Sequence, residues 1–445
     1  MAQEPRIDVA LTLREGGAEP TRDELAELAG SLKPEVWFST PLSSAEPAAA
    51  GREPDFTWDL VGAPYKGQTA TGKAAVYLAN SKFGIKRPFI FADGFNYGES
   101  DLPGLFAYFN QPYILGKAGF FDQLLSQGID VIVLGFTERH THIQANAEVA
   151  ISAIQRTIAE RVSRDPLTVG GVSMGGIITR YALAKMESDN ADHETATYLS
   201  YDSPHNGAWI PLILQQMAYF FEDFTPAGPD GVKQADLIRS PAAQQLLWAW
   251  VENSKYSGPV ATASELRKEF LADLARLGNF PQRPRLLGVS NGRRDGVGRP
   301  LPAGEVAFDW QALVASATAR FQADKGEKKA IGGMHLGLAM RRSTTTEVPA
   351  LDGAPGGTLD SFGKVADALK AKIAEEYRSG AFVPSVSAAA LAFDPVKWDV
   401  NLNLSITDAD LELGHLDEVA FDDDNTEHSH ISVGLIDWIV ERITG

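Results

Sequence analysis

Residues 167–176 read LTVGGVSMGG and join an apolar run typical of a strand to a helical pattern that continues to about Met186. Small residues on both sides of Ser173 let the chain turn sharply, and such a turn lifts the serine hydroxyl above the end of the strand. The turn also places the N–H of Met174 at a helix N-terminus, where it would face a developing negative charge. We therefore predict Ser173 as a nucleophile and Met174 as an oxyanion donor, with an ordinary structural turn as the alternative.

Short apolar runs and helical patterns alternate on both sides of this turn. Ile151, Ile154, Ile158 and Val162 recur at steps of three and four residues, which predicts one face of a helix. Aromatic and β-branched residues interrupted by Gly and Pro at 56–80 predict a hairpin or two edge strands. The alternation is typical of an α/β fold with a mostly parallel central sheet. The strand candidates of that sheet are Pro88–Ala92, Val131–Phe136, Leu167–Val172, Tyr198–Tyr201, Leu286–Ser290 and Phe382–Val386.

The same pattern divides the chain into a core and three added segments. An N-terminal extension with edge strands spans 1–80, and its stretch Ser43–Pro54 has the composition of a loose loop. The first insertion, 207–282, is rich in Trp and Phe at helical spacing and is interpreted either as a lid that binds acyl groups or as a helical subdomain packed on itself. A second insertion spans 299–380. The core is then assigned to residues 81–206, 283–298 and 381–445, and it ends in a helix near Ile431–Ile443.

Composition excludes several classes of protein. The 445 residues carry 40 basic and 58 acidic side chains, a net charge of −18 that repels nucleic acid. Without cysteine, the chain has no disulfide and no cysteine nucleophile. No apolar run reaches the length of a membrane-spanning helix, so we expect no stable membrane insertion. The N-terminal residues lack a signal-peptide pattern, which predicts a cytoplasmic location, or a secreted or periplasmic one in a bacterium if a signal was removed.

The loop after Pro88–Ala92 is the candidate for a second oxyanion donor. It reads DGFNYG from Asp93 to Gly98. Gly94 permits close approach of the backbone, so the N–H of Phe95 is predicted to face the site. The alternative is an ordinary turn of Gly and Asn.

Several stretches together resemble the lipase-like branch of the α/β-hydrolase superfamily, and in particular bacterial esterase/lipase-like proteins. The resemblance covers residues 87–211 well and the segments near 289 and 382–440 more thinly. It implies an α/β-hydrolase fold with a helical lid or cap insertion, and a second insertion before the C-terminal strand and helix. The stretches are FADGFN, HIQANA, GGVSMGGIITRYALAKME, YLSYDSPHNGAWIP, VSNG, FVPSVSA and NTEHSHI.

The resemblance also orders the remaining catalytic groups, because in this superfamily the acid and then the histidine follow the serine. His428 is the favoured base, since it lies in a polar loop before the last helix and has Asn425 three residues before it, as in the family pattern. Two further C-terminal histidines, His430 and His415, remain candidates. Many lipases carry an aspartate just before a V-P-x-x-S element, and this chain has Gly380, Ala381 and Phe382 there.

Asp295, in the loop after Leu286–Ser290, is the favoured acid, because an acid in the loop after that strand fits the order of the fold. Asp202 is the second candidate, and Asp394 and Asp399 follow it. As an alternative, His140, His142 and His205 could form a cluster that binds a metal ion.

The function expected from these residues is hydrolysis of carboxylic esters, either small molecules or polymers, by a Ser-His-Asp triad without metal or organic cofactor. An acyltransferase, thioesterase or amidase would use the same residues. A catalytically silent hydrolase fold that serves as a binding protein is the alternative from a different class.

Overall fold

A computed structural model describes residues 3–16, 18–38, 52–112, 117–227, 231–260, 264–397 and 399–445. Residues 43–51 of the predicted loose loop lie outside these ranges. None of the helices in the described ranges is both long and apolar enough to cross a bilayer. The strands are β1 (Arg6–Leu13), β2 (Phe56–Val61), β3 (Thr71–Tyr77), β4 (Pro88–Ala92), β5 (Asp130–Phe136), β6 (Leu167–Val172), β7 (Thr195–Tyr201), β8 (Gly258–Pro259), β9 (Arg285–Ser290), β10 (Val306–Gln311), β11 (Ala315–Arg320), β12 (Lys329–Leu336), β13 (Ala339–Thr346), β14 (Gly356–Leu359), β15 (Gly380–Pro384) and β16 (Glu418–Phe421). The helices are α1 (Arg22–Ser31), α2 (Pro34–Trp37), α3 (Leu102–Asn110), α4 (Phe120–Ser126), α5 (Ile143–Glu160), α6 (Met174–Ser188), α7 (Leu212–Phe224), α8 (Asp236–Arg239), α9 (Pro241–Leu246), α10 (Glu265–Arg276), α11 (Ser361–Leu369), α12 (Ser385–Ala388), α13 (Asp408–Glu412) and α14 (Val433–Thr444).

The central sheet has the strand order β2-β3-β5-β4-β6-β7-β9-β16. The six strands from β5 to β16 run parallel, whereas β3 is antiparallel to β5 and to β2. Every residue of β4 and β5 is buried, as expected for parallel strands covered by helices on both faces. The arrangement is the α/β-hydrolase fold, and it confirms the predicted mostly parallel sheet. Of the two predictions for 56–80, the structure bears out the hairpin, formed by β2 and β3, in which only β2 lies at the edge of the sheet.

The connection from β6 to α6 follows the sequence prediction closely. Helix α6 begins at Met174, directly after Ser173. The preceding helix, α5, contains the predicted face of Ile151, Ile154 and Ile158 but ends at Glu160. The inclusion of Val162 in that face is wrong: it lies beyond the helix, is 64% exposed, and donates its N–H to the carbonyl of Ile85.

A second, antiparallel sheet has the order β10-β11-β12-β13-β1-β8. Strand β1 lies beside β13, with Arg6 opposite Thr346 and Leu13 opposite Ala339. The segment 1–80 is therefore divided between two sheets, because β1 covers the edge of β13 and only β2 and β3 extend the central sheet. Strand β12 also packs against α7, where Gly332 lies against Ile213.

The last strand of the central sheet differs from the prediction. The sequence pattern places Phe382–Val386 there, but β15 ends at Pro384 and pairs only with β14, in a two-stranded antiparallel ribbon. Strand β16 takes the edge position next to β9. An apolar run shows that a strand is buried but does not show which strand it pairs with. The sequence pattern does not predict β16, because this strand is short and only half-buried. The final helix, α14, lies as predicted.

The aromatic residues of the segment 207–282 point into the molecule. Trp209 and Trp248 are each 1% exposed, and Phe220 and Phe221 are fully buried. They pack within a cluster that also includes buried residues of the second sheet. This packing favours the subdomain interpretation over an open acyl-binding wall.

Candidate active site

Ser173 stands at a strained turn between β6 and α6. Its φ of 55° and ψ of −126° are unusual for a residue with a Cβ atom, and its N–H is held by the carbonyl of Tyr201 at 2.8 Å. The flanking glycines are required by close packing: a Cβ on Gly171 would lie 2.5 Å from the carbonyl carbon of Gly175, and one on Gly175 would lie 2.2 Å from the oxygen of Ala92. The small residues thus hold the serine in a conformation that larger residues would prevent.

His428 and Asp202 form a buried pair next to this turn. Nδ1 of His428 lies 2.7 Å from Oδ2 of Asp202, and neither side chain has exposed surface. Because a carboxylate only accepts hydrogen bonds, Nδ1 carries a proton, and in the neutral imidazole Nε2 is then the acceptor. Nε2 is buried and has no hydrogen-bond partner among the described residues. A base with its free nitrogen ready to accept a proton is what a serine nucleophile needs.

The sheet brings this pair to the same edge as Ser173. Val172 pairs with Tyr201 in the parallel register of β6 and β7, so Ser173 and Asp202 are the next residues on neighbouring strands. Such strands lie about 4.8 Å apart. Asp202 also has a positive φ, 45°, and its Oδ1 accepts the N–H of Asn291 at 3.0 Å. The carboxylate is therefore fixed from two sides.

Asp295, the favoured acid, is not part of this arrangement, and this expectation is corrected. Its side chain is 48% exposed and is paired with Arg293, and the N–H of Val297 donates to it at 3.0 Å. The hydrogen bonds from Arg293 lower the pKa of Asp295 to about 2. Strand β9, which precedes Asp295, lies one position further from β6 and Ser173 than β7 does.

The remaining candidates for the acid and the base also lie outside the site. Asp394 is paired with Lys397, and Asp399 is exposed. The imidazole of His430 is exposed, although its backbone carbonyl accepts the hydroxyl of Tyr201 at 2.6 Å. The ring of His415 stacks on Phe280 with the two centroids 4.9 Å apart.

The histidines considered as metal ligands do not converge on one point. His140 stacks on Tyr97, and Nε2 of His205 lies 2.7 Å from the hydroxyl of Ser200. Burial and the nearby Arg180 hold the pKa of His205 well below its usual value, so this imidazole is neutral. In the described part of the chain, no group of three or more His, Asp or Glu side chains is arranged to hold a metal ion.

The loop after β4 approaches Ser173 as predicted for a second oxyanion donor. A Cβ on Gly94 would lie 3.1 Å from the Cβ of Ser173, so the backbone passes directly beside the serine. Phe95 follows, and its N–H and that of Met174 have no acceptor among the described residues. Two free N–H groups beside a serine could stabilise a negatively charged oxygen.

Arg139 braces this loop. It donates hydrogen bonds to the carbonyls of Tyr97 at 3.0 Å and Gly98 at 3.3 Å, and it lies 3.4 Å from the carboxylate of Asp93. Asp93 in turn accepts the N–H of Gly94 at 2.7 Å. The pair of Arg139 and Asp93 is largely buried, and its hydrogen bonds fix the backbone of the loop that contains Phe95.

The β14–β15 ribbon is a part of the site that sequence analysis does not reveal. A Cβ on Gly357 would lie 2.2 Å from Oδ2 of Asp202 and 3.3 Å from the Cα of His428. The carbonyl of Thr358 accepts the N–H of His428 at 2.8 Å, and the ring of Phe382 packs edge-on against the imidazole at 4.8 Å. The consecutive glycines Gly356 and Gly357 are the available signal, but their pattern alone predicts only a loop.

Comparison with known proteins gives partial similarities. No family model matches the sequence, and no curated protein matches it significantly. An esterase from Pyrobaculum calidifontis is similar over 60% of this chain and 72% of its own, at 13% identity and a TM-score of 0.31. The mature lipase from Bacillus licheniformis is similar over 54% of this chain and 73% of its own, at 14% identity and a TM-score of 0.27. DcsB, solved in complex with its substrate analogue, matches over 37% of this chain, at 13% identity and a TM-score of 0.25, and the match spans 50% of its length.

Proposed function

We propose that the protein is a serine hydrolase of carboxylic esters. The observation that supports this most is the buried His428–Asp202 pair, which lies beside a serine held at a strained strand-to-helix turn. Nδ1 is bound by the carboxylate and Nε2 has no partner among the described residues, which is the arrangement of a general base. Asp202 thus replaces Asp295 as the proposed acid.

The proposed reaction uses each group in turn. The Oγ of Ser173 attacks the ester carbonyl carbon while its proton passes to Nε2 of His428, and Asp202 stabilises the resulting imidazolium. The N–H groups of Phe95 and Met174 donate hydrogen bonds to the negatively charged carbonyl oxygen. The tetrahedral intermediate then expels the alcohol, which takes the proton from His428.

A water molecule completes the cycle. It attacks the acyl carbon bound to Ser173 and gives a proton to His428. Collapse of the second tetrahedral intermediate releases the carboxylic acid and returns the proton to the serine. If another alcohol, a thiol or an amine took the place of this water, the same residues would transfer the acyl group, and product analysis with such a competitor distinguishes the two activities.

The test is labelling with a fluorophosphonate followed by peptide mass mapping, alongside hydrolysis of p-nitrophenyl esters from short to long acyl chains. We expect the label on Ser173, and loss of both labelling and turnover in Ser173→Ala and His428→Ala. Ser203→Ala is the matched control, because Ser203 is a buried neighbour whose hydroxyl has no partner within the described ranges. Absence of label and turnover in the wild type would overturn the proposal in favour of a binding protein, and labelling of a different residue would overturn the assignment of Ser173.

A further inference from the structure

The proposed catalytic groups are closed off from solvent. Ser173 is 2% exposed, Phe95 is 2% exposed and His428 has no exposed surface. An ester carbonyl cannot reach the Oγ of Ser173 in this state. Some part of the chain therefore occupies the space that a substrate would use.

The ring of Phe38 lies against aromatic residues that line the proposed site. Its centroid is 4.4 Å from that of Phe95, which carries one proposed oxyanion donor. It is also 5.6 Å from the ring of Phe382, which itself packs edge-on against His428. Phe38 thus contacts two aromatic side chains, one on the oxyanion loop and one against the proposed base.

The segment that carries Phe38 is attached by apolar contacts. Trp37 is fully buried and stacks on Phe221, with centroids 6.4 Å apart. Residues 33–38 make no hydrogen bond to any other part of the described chain. Nε1 of Trp37 is buried without a partner within the described ranges, which costs free energy in the docked position. Among the described residues, this segment is held by burial alone and has an unsatisfied donor, so it can be exchanged for another apolar group.

We propose that the space occupied by the ring of Phe38 is the binding site for an aromatic or bulky apolar acyl group of the ester. Residues 33–38 then leave the site when substrate binds, and Phe95 and Phe382 determine which group is accepted. This inference rests on the proposed esterase function and adds its substrate class. A planar ring between two aromatic side chains regains the contacts that Phe38 gives up.

The chemistry predicts a specific preference. When Phe38 and Trp37 are displaced, apolar surface that was buried becomes exposed to water, which costs free energy. Only a substrate that buries a comparable apolar area offsets this cost. An acetyl ester offers too little area, whereas a phenylacetyl or benzoyl ester fills the site. The wild type should therefore favour phenylacetyl and benzoyl esters over acetyl esters, and Phe38→Ala should reduce that preference.

The experiment measures the second-order rate constant for labelling of Ser173 by a small fluorophosphonate, and kcat/KM for p-nitrophenyl acetate and p-nitrophenyl phenylacetate. In Phe38→Ala we expect labelling to be at least roughly tenfold faster and the gain in kcat/KM to be larger for the acetate. Toluene should inhibit Phe38→Ala competitively and at lower concentration than the wild type, because truncation of a buried ring leaves a cavity that admits a small aromatic molecule without displacement of Phe38. A general loss of stability would not produce this selective inhibition.

Phe109→Ala is the matched control. Phe109 is fully buried among Phe91, Phe121 and Tyr201, in a separate cluster that does not include Phe38. We expect its truncation to lower the melting temperature without faster labelling. Phe38→Leu, which keeps most of the apolar volume, provides the test if Phe38→Ala does not fold, and its labelling rate should lie above that of the wild type.

The outcomes separate the two proposals. Equal labelling of Ser173 in the wild type, the Phe38 variants and Phe109→Ala, with no inhibition by toluene, would overturn this inference and leave the esterase intact. Absence of label from Ser173 in every variant would overturn the proposed function and this inference with it.

Discussion

Two aspartates follow the ends of β7 and β9, and they differ in burial and in their partners. Asp202 directly follows β7, has no exposed surface and is bound to His428. Asp295 lies in the loop after β9, is 48% exposed and is paired with Arg293. Both satisfy the chain order of serine, acid and histidine. Adjacency to the strand that precedes Ser173, together with burial, selects the carboxylate that contacts His428, and the order along the chain does not.

Burial also changes what each aspartate can contribute. A hydrogen bond between charged or polar groups is stronger where water is excluded, and loss of one partner there leaves the other unsatisfied. An exposed ion pair is screened by water and salt, and it contributes little. We therefore expect the two positions to differ sharply under the same substitution.

Asp202→Asn tests the buried member of the comparison and has the largest expected effect. The amide cannot hold Nδ1 of His428 in the same protonated form, so in the proposed mechanism Nε2 no longer accepts the proton of Ser173. The corresponding change in a Ser-His-Asp triad lowers kcat by about 10,000-fold, and we expect a loss of that order in hydrolysis of a p-nitrophenyl ester. A loss below about tenfold would show that Asp202 is not the acid.

Gly357→Ala disturbs the same carboxylate from the other side. Its Cβ would lie 2.2 Å from Oδ2 of Asp202, so either the aspartate or the ribbon must move. A displacement of about 1 Å at a catalytic group can cost roughly 100-fold in rate, and we expect kcat to fall by about that factor. Gly434→Ala is the matched control, because outside its chain neighbours and the backbone of its own helix no described atom lies within 4 Å of the added Cβ. Equal activity of the two variants would argue that the ribbon does not position Asp202.

These two positions also show what the sequence can and cannot predict. The strands and the turn at Ser173 are predictable because apolar runs and small residues act within a few neighbouring positions. The role of Asp202 is not, because it depends on the register of β6 and β7 and on a histidine 226 residues later in the chain. The importance of Gly357 cannot be predicted for the same reason, since glycine is required at this position by a contact with Asp202 and not by a turn.

Arg139 and Asp93 extend the comparison to a second arginine–aspartate pair. Their side chains are 12% and 4% exposed, whereas those of Arg293 and Asp295 are 33% and 48% exposed. Arg139→Gln removes a charged side chain that donates hydrogen bonds to the loop that contains Phe95. Loss of a hydrogen bond to a charged group costs about 1.5–3 kcal/mol, and we expect kcat to fall roughly 10- to 100-fold with little change in KM.

Arg156→Gln is the control for this prediction. Arg156 pairs with Glu160 on the partly exposed surface of α5, away from the site. We expect its kcat to match that of the wild type. If Arg139→Gln lowered the melting temperature but left kcat unchanged, the arginine would stabilise the fold without positioning the oxyanion donor.

Asp352 is a third case: a fully buried carboxylate that has hydrogen bonds but no cation among its described partners. It accepts Nε1 of Trp209 at 2.6 Å and the N–H of Gln322 at 2.5 Å. Burial raises its pKa from 3.8 to about 6. Between these values the folded protein binds a proton that the unfolded chain has released, so the free energy of unfolding falls as the pH rises from about 4 to about 6 and is level above that.

The expected contribution of Asp352 is on the order of 3 kcal/mol, because one unit of pKa corresponds to about 1.4 kcal/mol. Urea unfolding of the wild type and of Asp352→Asn at pH values from about 4 to about 7 measures it. The difference in unfolding free energy, wild type minus variant, should decrease across this window and then stay constant. A difference independent of pH would mean that Asp352 keeps its ordinary pKa in the folded protein.

Asp295→Asn has the smallest expected effect and completes the comparison. The exposed pair with Arg293 is screened, and the loop is also held by the hydrogen bond between the N–H of Arg293 and the side chain of Asn425 at 3.1 Å. We therefore expect kcat/KM and the melting temperature at about pH 7 to equal those of the wild type, at both low and high salt. If Asp295→Asn instead lost activity as severely as Asp202→Asn, the exposed aspartate would have to reach His428 during turnover. The loop after β9 would then move, and the geometry of the closed site would not identify the acid.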